Sequence, residues 1–167
     1  MRYLFHTAFL FLFSAIQPTL LGRFEILGAK PNLFLVYIVI VSFFCSRKEG
    51  MTIGFVFGFI LDLFIGRVLG LNAVLMLLLS YCISCFCEKI ISKNNFFIVA
   101  GFVIISTFFF ELVYYIIAYL GHLELKTAFV RVLLPEILSN TIFSAVIYFI
   151  AKKTSKRLWN VIGEGIG

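Results

Sequence analysis

The stretch GFVFGFILDLFIGRVLG, residues 54–70, places an aspartate, Asp62, in the middle of what otherwise reads as a lipid-soluble helix. A carboxylate within the hydrocarbon costs roughly 2.5–3.5 kcal/mol, so Asp62 should face the bundle, a partner or a watery cavity. Near the end of its span it could instead reach the membrane interface and meet Arg67. Four glycines share the four-residue spacing of Asp62 and lie with it along one stripe while the helix lasts: Gly54, Gly58, Gly66 and Gly70. Glycines at this spacing let another helix approach closely, either within the chain or from a partner.

The composition of the whole chain indicates an integral membrane protein. Of its 167 residues, 62% are hydrophobic and 13% are charged, and the mean hydropathy is +1.10. About six spans of roughly 20 residues fit this length, which predicts an all-α, polytopic bundle forming a single domain over residues 1–167. The expected spans are 3–21, 32–46, 51–66, 69–91, 96–120 and 134–151.

The distribution of basic residues predicts the orientation of this bundle. Nine lysines and arginines fall on the side that holds both termini and five fall on the other side, so both termini are expected in the cytoplasm. The first span is expected to be retained, because Gln17-Pro18-Thr19 does not form a small-residue cleavage site. The basic C-terminal segment 152–159 indicates an interfacial anchor among membrane lipids and no nucleic-acid site.

An inventory of reactive residues argues against an enzyme. The chain contains one aspartate, two histidines and no Gly-x-Ser-x-Gly motif, so the residue sets of intramembrane aspartyl, zinc and serine proteases are missing. A metal site at Cys82, Cys85 and Cys87 is an alternative to plain packing of small thiols at a helix end. Without a nearby histidine, packing is favoured, and we expect no metal and no cofactor.

Several polar residues are expected at the same depth, in the outer half of the membrane. They form a predicted polar pocket or docking cleft made of Gln17, Asp62, Glu111, Glu136 and Asn140, which Asn72 could join. Glu136, Asn140 and Ser144 follow one another at i, i+4 and i+8, which puts them on one helix face. Glu136 has an alternative explanation, because Pro135 suits the first position of a helix and a carboxylate just after it is favoured by the helix dipole.

Residues 30–86 resemble the rod shape-determining protein MreD family. The resemblance rests on Lys30-Pro31-Asn32-Leu33, on an apolar hairpin turning at Arg47-Lys48-Glu49-Gly50, and on the run from Gly54 through Asp62 to Leu69-Gly70-Leu71-Asn72. Length, six helices and an asparagine near position 140 also fit. Where the family's proline is often followed by an aspartate, this chain has Asn32, which argues against a need for charge at that position.

The resemblance implies a non-enzymatic scaffold of the bacterial cell-elongation complex in the cytoplasmic (inner) membrane. Such proteins bind MreC and help couple the actin-like MreB to peptidoglycan synthesis by RodA and its transpeptidase. The implied residues for partner binding or helix packing are Gly54, Gly58, Asp62, Gly66, Gly70 and Asn72. The family is also similar to the six-helix substrate-binding subunits of energy-coupling-factor transporters, so the alternative is a subunit that binds a vitamin-type small molecule. Leu12, four residues after Ala8, breaks the alanine pair that such subunits commonly carry.

Overall fold

The described part of the protein is entirely helical. The structure is a computed structural model, and it describes residues 31–64, 69–89, 95–121 and 129–163. These ranges contain five helices and no strand: α1 Leu33–Phe44, α2 Arg47–Phe64, α3 Leu71–Lys89, α4 Phe96–Leu120 and α5 Phe129–Gly163. The all-α prediction is confirmed for these residues. The first expected span, 3–21, together with Gln17, Gly66 and Arg67, lies outside them.

Helix α1 is central among the described helices. Eleven of its residues, from Leu33 to Phe43, are buried, and α1 contacts α2, α3, α4 and α5. A helix that is apolar all round has no face suited to water and packs as a core element. Asn32 begins it, because its side-chain oxygen accepts a hydrogen bond from the Leu35 amide at 3.1 Å, and an uncharged asparagine is a good helix N-cap.

The turn between α1 and α2 falls at Cys45 and Ser46, before the expected Arg47–Gly50 turn. The reason is the glutamate half of a capping box, a pattern that the sequence reasoning overlooked. The backbone amide and the hydroxyl of Ser46 both donate to Oε2 of Glu49, at 3.4 Å and 3.1 Å. A serine followed three residues later by a glutamate satisfies donors in the first turn of a helix, so α2 begins at Arg47 and the basic pair Arg47-Lys48 is helical.

Helix α5 is longer than expected at both ends, and this corrects one explanation of Glu136. The helix begins at Phe129 and encloses Pro135, so Pro135 is not at the first helical position. A proline inside a helix removes one backbone hydrogen bond, but the helix can continue when its neighbours support it. The favourable helix dipole of an N-terminal turn therefore does not account for Glu136, which lies about two turns into α5.

Contacts between the helices show which ends lie together. Tyr114, late in α4, reaches Asn72, early in α3, and Asn140 of α5 contacts Asn32 just before α1. We call this end, where α1, α3 and α5 begin and α2 and α4 finish, the polar end. By length and composition, Phe96–Leu120 and Val132–Lys153 could each cross a membrane, whereas Leu33–Phe44 and Leu71–Cys87 are shorter apolar helices.

Candidate functional site at the polar end

The glycine stripe of α2 packs directly against the backbone of α3. A Cβ added to Gly58 would lie 2.6 Å from Cα of Ala73 and 2.7 Å from its backbone nitrogen, and one added to Gly54 would lie 2.8 Å from the Met76 carbonyl oxygen. Such distances are far inside van der Waals contact, so only glycine permits this approach. Both glycines therefore have a helix-packing role within the chain.

The α3 side of this contact is also built from small residues. Ala73 faces Gly58, the Ser80 side chain faces Gly54, and Oγ of Ser84 would lie 3.2 Å from a Cβ at Gly50. Sequence reasoning identified the glycine stripe of α2 but missed the stripe of small residues on α3. The signal was present in the spacing of Ala73, Ser80 and Ser84, which recur at multiples of three to four residues and so lie near one helix face.

Asp62 caps the start of α3 from the end of α2. Its Oδ2 accepts hydrogen bonds from the backbone amides of Gly70 and Ala73 at 3.1 Å and 3.0 Å. Its Oδ1 accepts from the backbone amide and the side-chain Nδ2 of Asn72 at 3.1 Å and 2.9 Å. The first amides of a helix have no partner within the helix, and a nearby carboxylate is favoured by the helix dipole.

A comparison of free energies explains why a carboxylate is tolerated at this position. Asp62 is only 2% exposed, and its four partners all donate to a group that carries charge. A hydrogen bond to a charged group contributes about 1.5–3 kcal/mol. The four together outweigh the roughly 2.5–3.5 kcal/mol cost of placing a carboxylate in hydrocarbon.

Gly70 makes the turn that brings these amides to Asp62. Its φ is +91°, and nothing lies within 4 Å of a Cβ built on it. A positive φ is disfavoured for residues with a side chain, so glycine is required by backbone conformation and not by lack of space. Gly70 also precedes Leu71, the first residue of α3, and has no side chain with which to cap that helix. Asp62 supplies the missing cap.

Asn72 extends the Asp62 cluster to α4. Asn72 is 3% exposed, and its Oδ1 accepts a hydrogen bond of 2.6 Å from the Tyr114 hydroxyl. Asp62, Asn72 and Tyr114 thus form a continuous hydrogen-bonded group across α2, α3 and α4. Sequence reasoning placed Asn72 with Asp62, but it did not include Tyr114, because a tyrosine in an apolar span gives no separate signal.

A second polar group joins α1, α4 and α5 at the same end. Oδ1 of Asn140 accepts a hydrogen bond from the Asn32 backbone amide at 2.8 Å, and its Nδ2 donates to Oγ1 of Thr107 at 3.1 Å. The side chains of Glu111 and Glu136 lie within hydrogen-bonding reach of each other, and Glu136 also interacts with Asn140. The structure therefore brings Glu111, Glu136 and Asn140 together.

These two groups differ in what they can do chemically. The Asp62 group is saturated by backbone amides and by Asn72, so it acts as a structural brace. The second group contains two adjacent carboxyl groups, of which that of Glu136 is buried and that of Glu111 is half-buried. Such a pair could take part in hydrogen bonding or proton sharing. Neither group places a nucleophile beside a base, which is the arrangement that covalent catalysis needs.

The cysteines and other candidate ligands form no metal centre in the described ranges. No three histidine, cysteine, aspartate or glutamate side chains there are close enough together to hold a metal ion. The thiols near the end of α3 lie in different surroundings, since Cys82 is exposed, Cys85 is half-buried and Cys87 is buried. This spread is typical of thiols distributed around a packed helix.

Comparison with known proteins identifies the family. Neither the curated proteins nor the solved structures that were compared include a match to this chain. The family model described as rod shape-determining protein MreD matches residues 1–157, nearly the full length. The match extends well beyond residues 30–86, where the sequence resemblance is concentrated, and it takes in all five helices at least in part. The chain therefore belongs to the MreD family of rod shape-determining proteins.

Proposed function

We propose that this chain is a non-enzymatic membrane scaffold of the bacterial cell-elongation complex. In this role it binds MreC and helps couple MreB to peptidoglycan synthesis by RodA and its transpeptidase. Membership of the MreD family implies a part in rod shape determination. The observation that supports a scaffold is the use of Asp62, whose four hydrogen bonds all come from the chain's own residues.

The proposed setting is the inner membrane, with six spans and both termini in the cytoplasm. The excess of lysine and arginine on the side of the termini supports this orientation. Helices α4 and α5 have the length and hydropathy for crossing. The shorter α1 is compatible with this setting because it packs inside the bundle, where its length need not match the thickness of the bilayer.

The proposed contact surfaces are the exposed apolar faces of the helices. On α2, one such face carries Phe55, Phe59 and Leu63, which are 46%, 45% and 60% exposed. Gly54 and Gly58 lie on a different, buried face, about 100° around the helix. In this proposal the glycines and Asp62 therefore act on partner binding indirectly, by setting the shape of the α2–α3 hairpin whose outer face a membrane helix of MreC would meet.

A pull-down tests this proposal. The tagged protein is extracted from its own membranes in mild detergent, and co-purified proteins are identified by mass spectrometry. Recovery of MreC and of wall-synthesis enzymes is the expected result. Asp62→Asn should reduce that recovery, because an amide nitrogen would then face backbone donors of α3. Glu49→Gln is the matched control, since it makes the same chemical change at the other end of α2, where glutamine can keep the contact with Ser46.

One observation favours the transporter alternative, namely the meeting of Glu111, Glu136 and Asn140 at the polar end. Polar groups within a membrane often line a substrate path. Recovery of cytoplasmic ATPase subunits with a coupling membrane protein, in place of MreC, would overturn the scaffold proposal and assign this group to a small ligand.

A further inference from the structure

In the described ranges, two helical hairpins pack against α1. Helices α2 and α3 form one hairpin and α4 and α5 form the other, and each hairpin packs on α1. Among the described residues, two specific contacts link the hairpins directly through α3 and α4. At the polar end, the Tyr114 hydroxyl donates to Oδ1 of Asn72. At the opposite end, the rings of Phe86 and Phe102 lie 6.4 Å apart between centroids.

These two contacts differ in how they respond to movement. The Phe86–Phe102 contact is apolar and tilted at 42°, and dispersion contacts change gradually as rings slide. The Tyr114–Asn72 contact is a short hydrogen bond of 2.6 Å, and such a bond is lost once donor and acceptor separate or turn away from each other. A small separation of the hairpins at the polar end therefore breaks one contact while the other persists.

The orientation of the Asn72 side chain depends on Asp62. Because Nδ2 of Asn72 donates to Oδ1 of Asp62 at 2.9 Å, the amide oxygen is turned toward α4, where it meets the Tyr114 hydroxyl. The Asn72 backbone amide donates to the same Asp62 oxygen at 3.1 Å, so Asp62 holds both the backbone and the side chain of Asn72. The acceptor for Tyr114 is thus prearranged by a residue that belongs to a third helix.

We propose that the Tyr114–Asn72 hydrogen bond is a polar latch between the two hairpins and that Asp62 is the positioning residue of this latch. Opening the latch lets α3 and α4 separate at the polar end, with the Phe86–Phe102 contact acting as the hinge. The α2–α3 contact is not disturbed by this motion, because Gly54 and Gly58 pack on a different interface. The device is a property of the bundle itself and holds whichever partner the protein binds.

Distance measurements between spin labels test the latch. Cys45, Cys85 and Cys87 are first replaced by alanine. One label pair, on cysteines replacing Val74 and Ile116 in a variant whose Cys82 is also replaced by alanine, reports the polar end. A second pair, on the native Cys82 and a cysteine replacing Ile105, reports the hinge end. All four label sites are exposed in the structure.

Tyr114→Phe removes the donor and keeps the ring. The open fraction reported by the Val74–Ile116 pair is expected to rise about threefold to twentyfold, which is the range that interhelical hydrogen bonds in membranes typically give. The Cys82–Ile105 pair should stay unchanged. Tyr119→Phe is the matched control, because Tyr119 is 68% exposed on the same helix.

The role of Asp62 is tested in the same system. Asp62→Asn should widen the distances of the polar-end pair, as Tyr114→Phe does. Adding Tyr114→Phe to Asp62→Asn should widen them no further than Asp62→Asn alone, because the latch is already released. Coincident distributions for wild type and Tyr114→Phe would overturn the proposal. So would an equal shift at both label pairs, since that would indicate general loosening of the bundle.

Discussion

Replacing Gly58 with alanine would test the close contact between α2 and α3. The added Cβ would lie 2.6 Å from Cα of Ala73, whereas two carbon atoms in favourable contact are about 3.5–4.0 Å apart. The helices must therefore separate by about 1 Å at this level. The atoms that block the Cβ belong to the backbone of α3, so no side-chain rotation can relieve the clash.

The separation would reach Asp62, one turn further along α2. Its hydrogen bonds to Gly70, Asn72 and Ala73 are 2.9–3.1 Å long, and an increase of about 1 Å exceeds the range of such a bond. Overpacking costs about 1–3 kcal/mol, and one lost hydrogen bond to a charged group costs about 1.5–3 kcal/mol. Against these losses, alanine favours the helix over glycine by about 1 kcal/mol. We expect a net loss of about 2–4 kcal/mol in the free energy of unfolding.

Gly101→Ala is the matched control for this substitution. Gly101 also lies inside a helix, but nothing is found within 4 Å of a Cβ built on it, so this variant should gain up to about 1 kcal/mol from helix propensity. Unfolding by SDS in mixed micelles, followed by pulse proteolysis, would measure both. The packing argument is refuted if Gly58→Ala is as stable as wild type, or if Gly101→Ala is destabilised equally.

Three further substitutions test other contributions to the free energy of unfolding, and the same unfolding assay measures all of them. Gly70→Ala should lose about 1–2 kcal/mol through its positive φ despite the open space around it, and full stability would show that the turn adopts another conformation. Asn140→Ala leaves the Asn32 amide without its acceptor, so the free energy of unfolding should fall by about 1–3 kcal/mol. Unchanged hydrogen exchange at the Asn32 amide would contradict this. Ser42→Ala should have a stability within about 0.5 kcal/mol of wild type, or a higher one, because the buried Ser42 hydroxyl has no hydrogen-bond partner among the described residues. A larger loss would count against this.

Local patterns in the sequence predicted much of the helical framework. Apolar runs bounded by polar residues indicated helices close to the observed α1 to α4, and the four-residue spacing placed Gly54, Gly58 and Asp62 on one face of α2. These features depend only on residues a few positions apart. The start of α2 was misjudged for a local reason too, because the Ser46–Glu49 capping box was overlooked.

The relations between helices could not be predicted in the same way. Equal depth predicted a common pocket for Glu111, Glu136 and Asn140, but depth alone does not say which helices are neighbours. The central position of α1 was also hidden, because a short apolar segment reads alike in the core and beside lipid. The part played by Tyr114 depends on α3 and α4 being adjacent at the polar end, which no spacing within either helix reveals.

The position of Asp62 follows from what a helical hairpin needs when water is scarce. The amides at the start of α3 must find acceptors, and unsatisfied backbone groups in hydrocarbon cost several kcal/mol each. Gly70 is required by the turn and brings no side chain, so the acceptor must come from elsewhere, and the end of α2 is the nearest element. A carboxylate offers two oxygens and can accept all four bonds at once. Asparagine at position 62 could offer only one oxygen and would turn a donor toward the remaining amides. For that reason Asp62→Asn, which replaces one oxygen by an amide nitrogen, is expected to disturb the α2–α3 hairpin, the latch and the surface that a partner would meet.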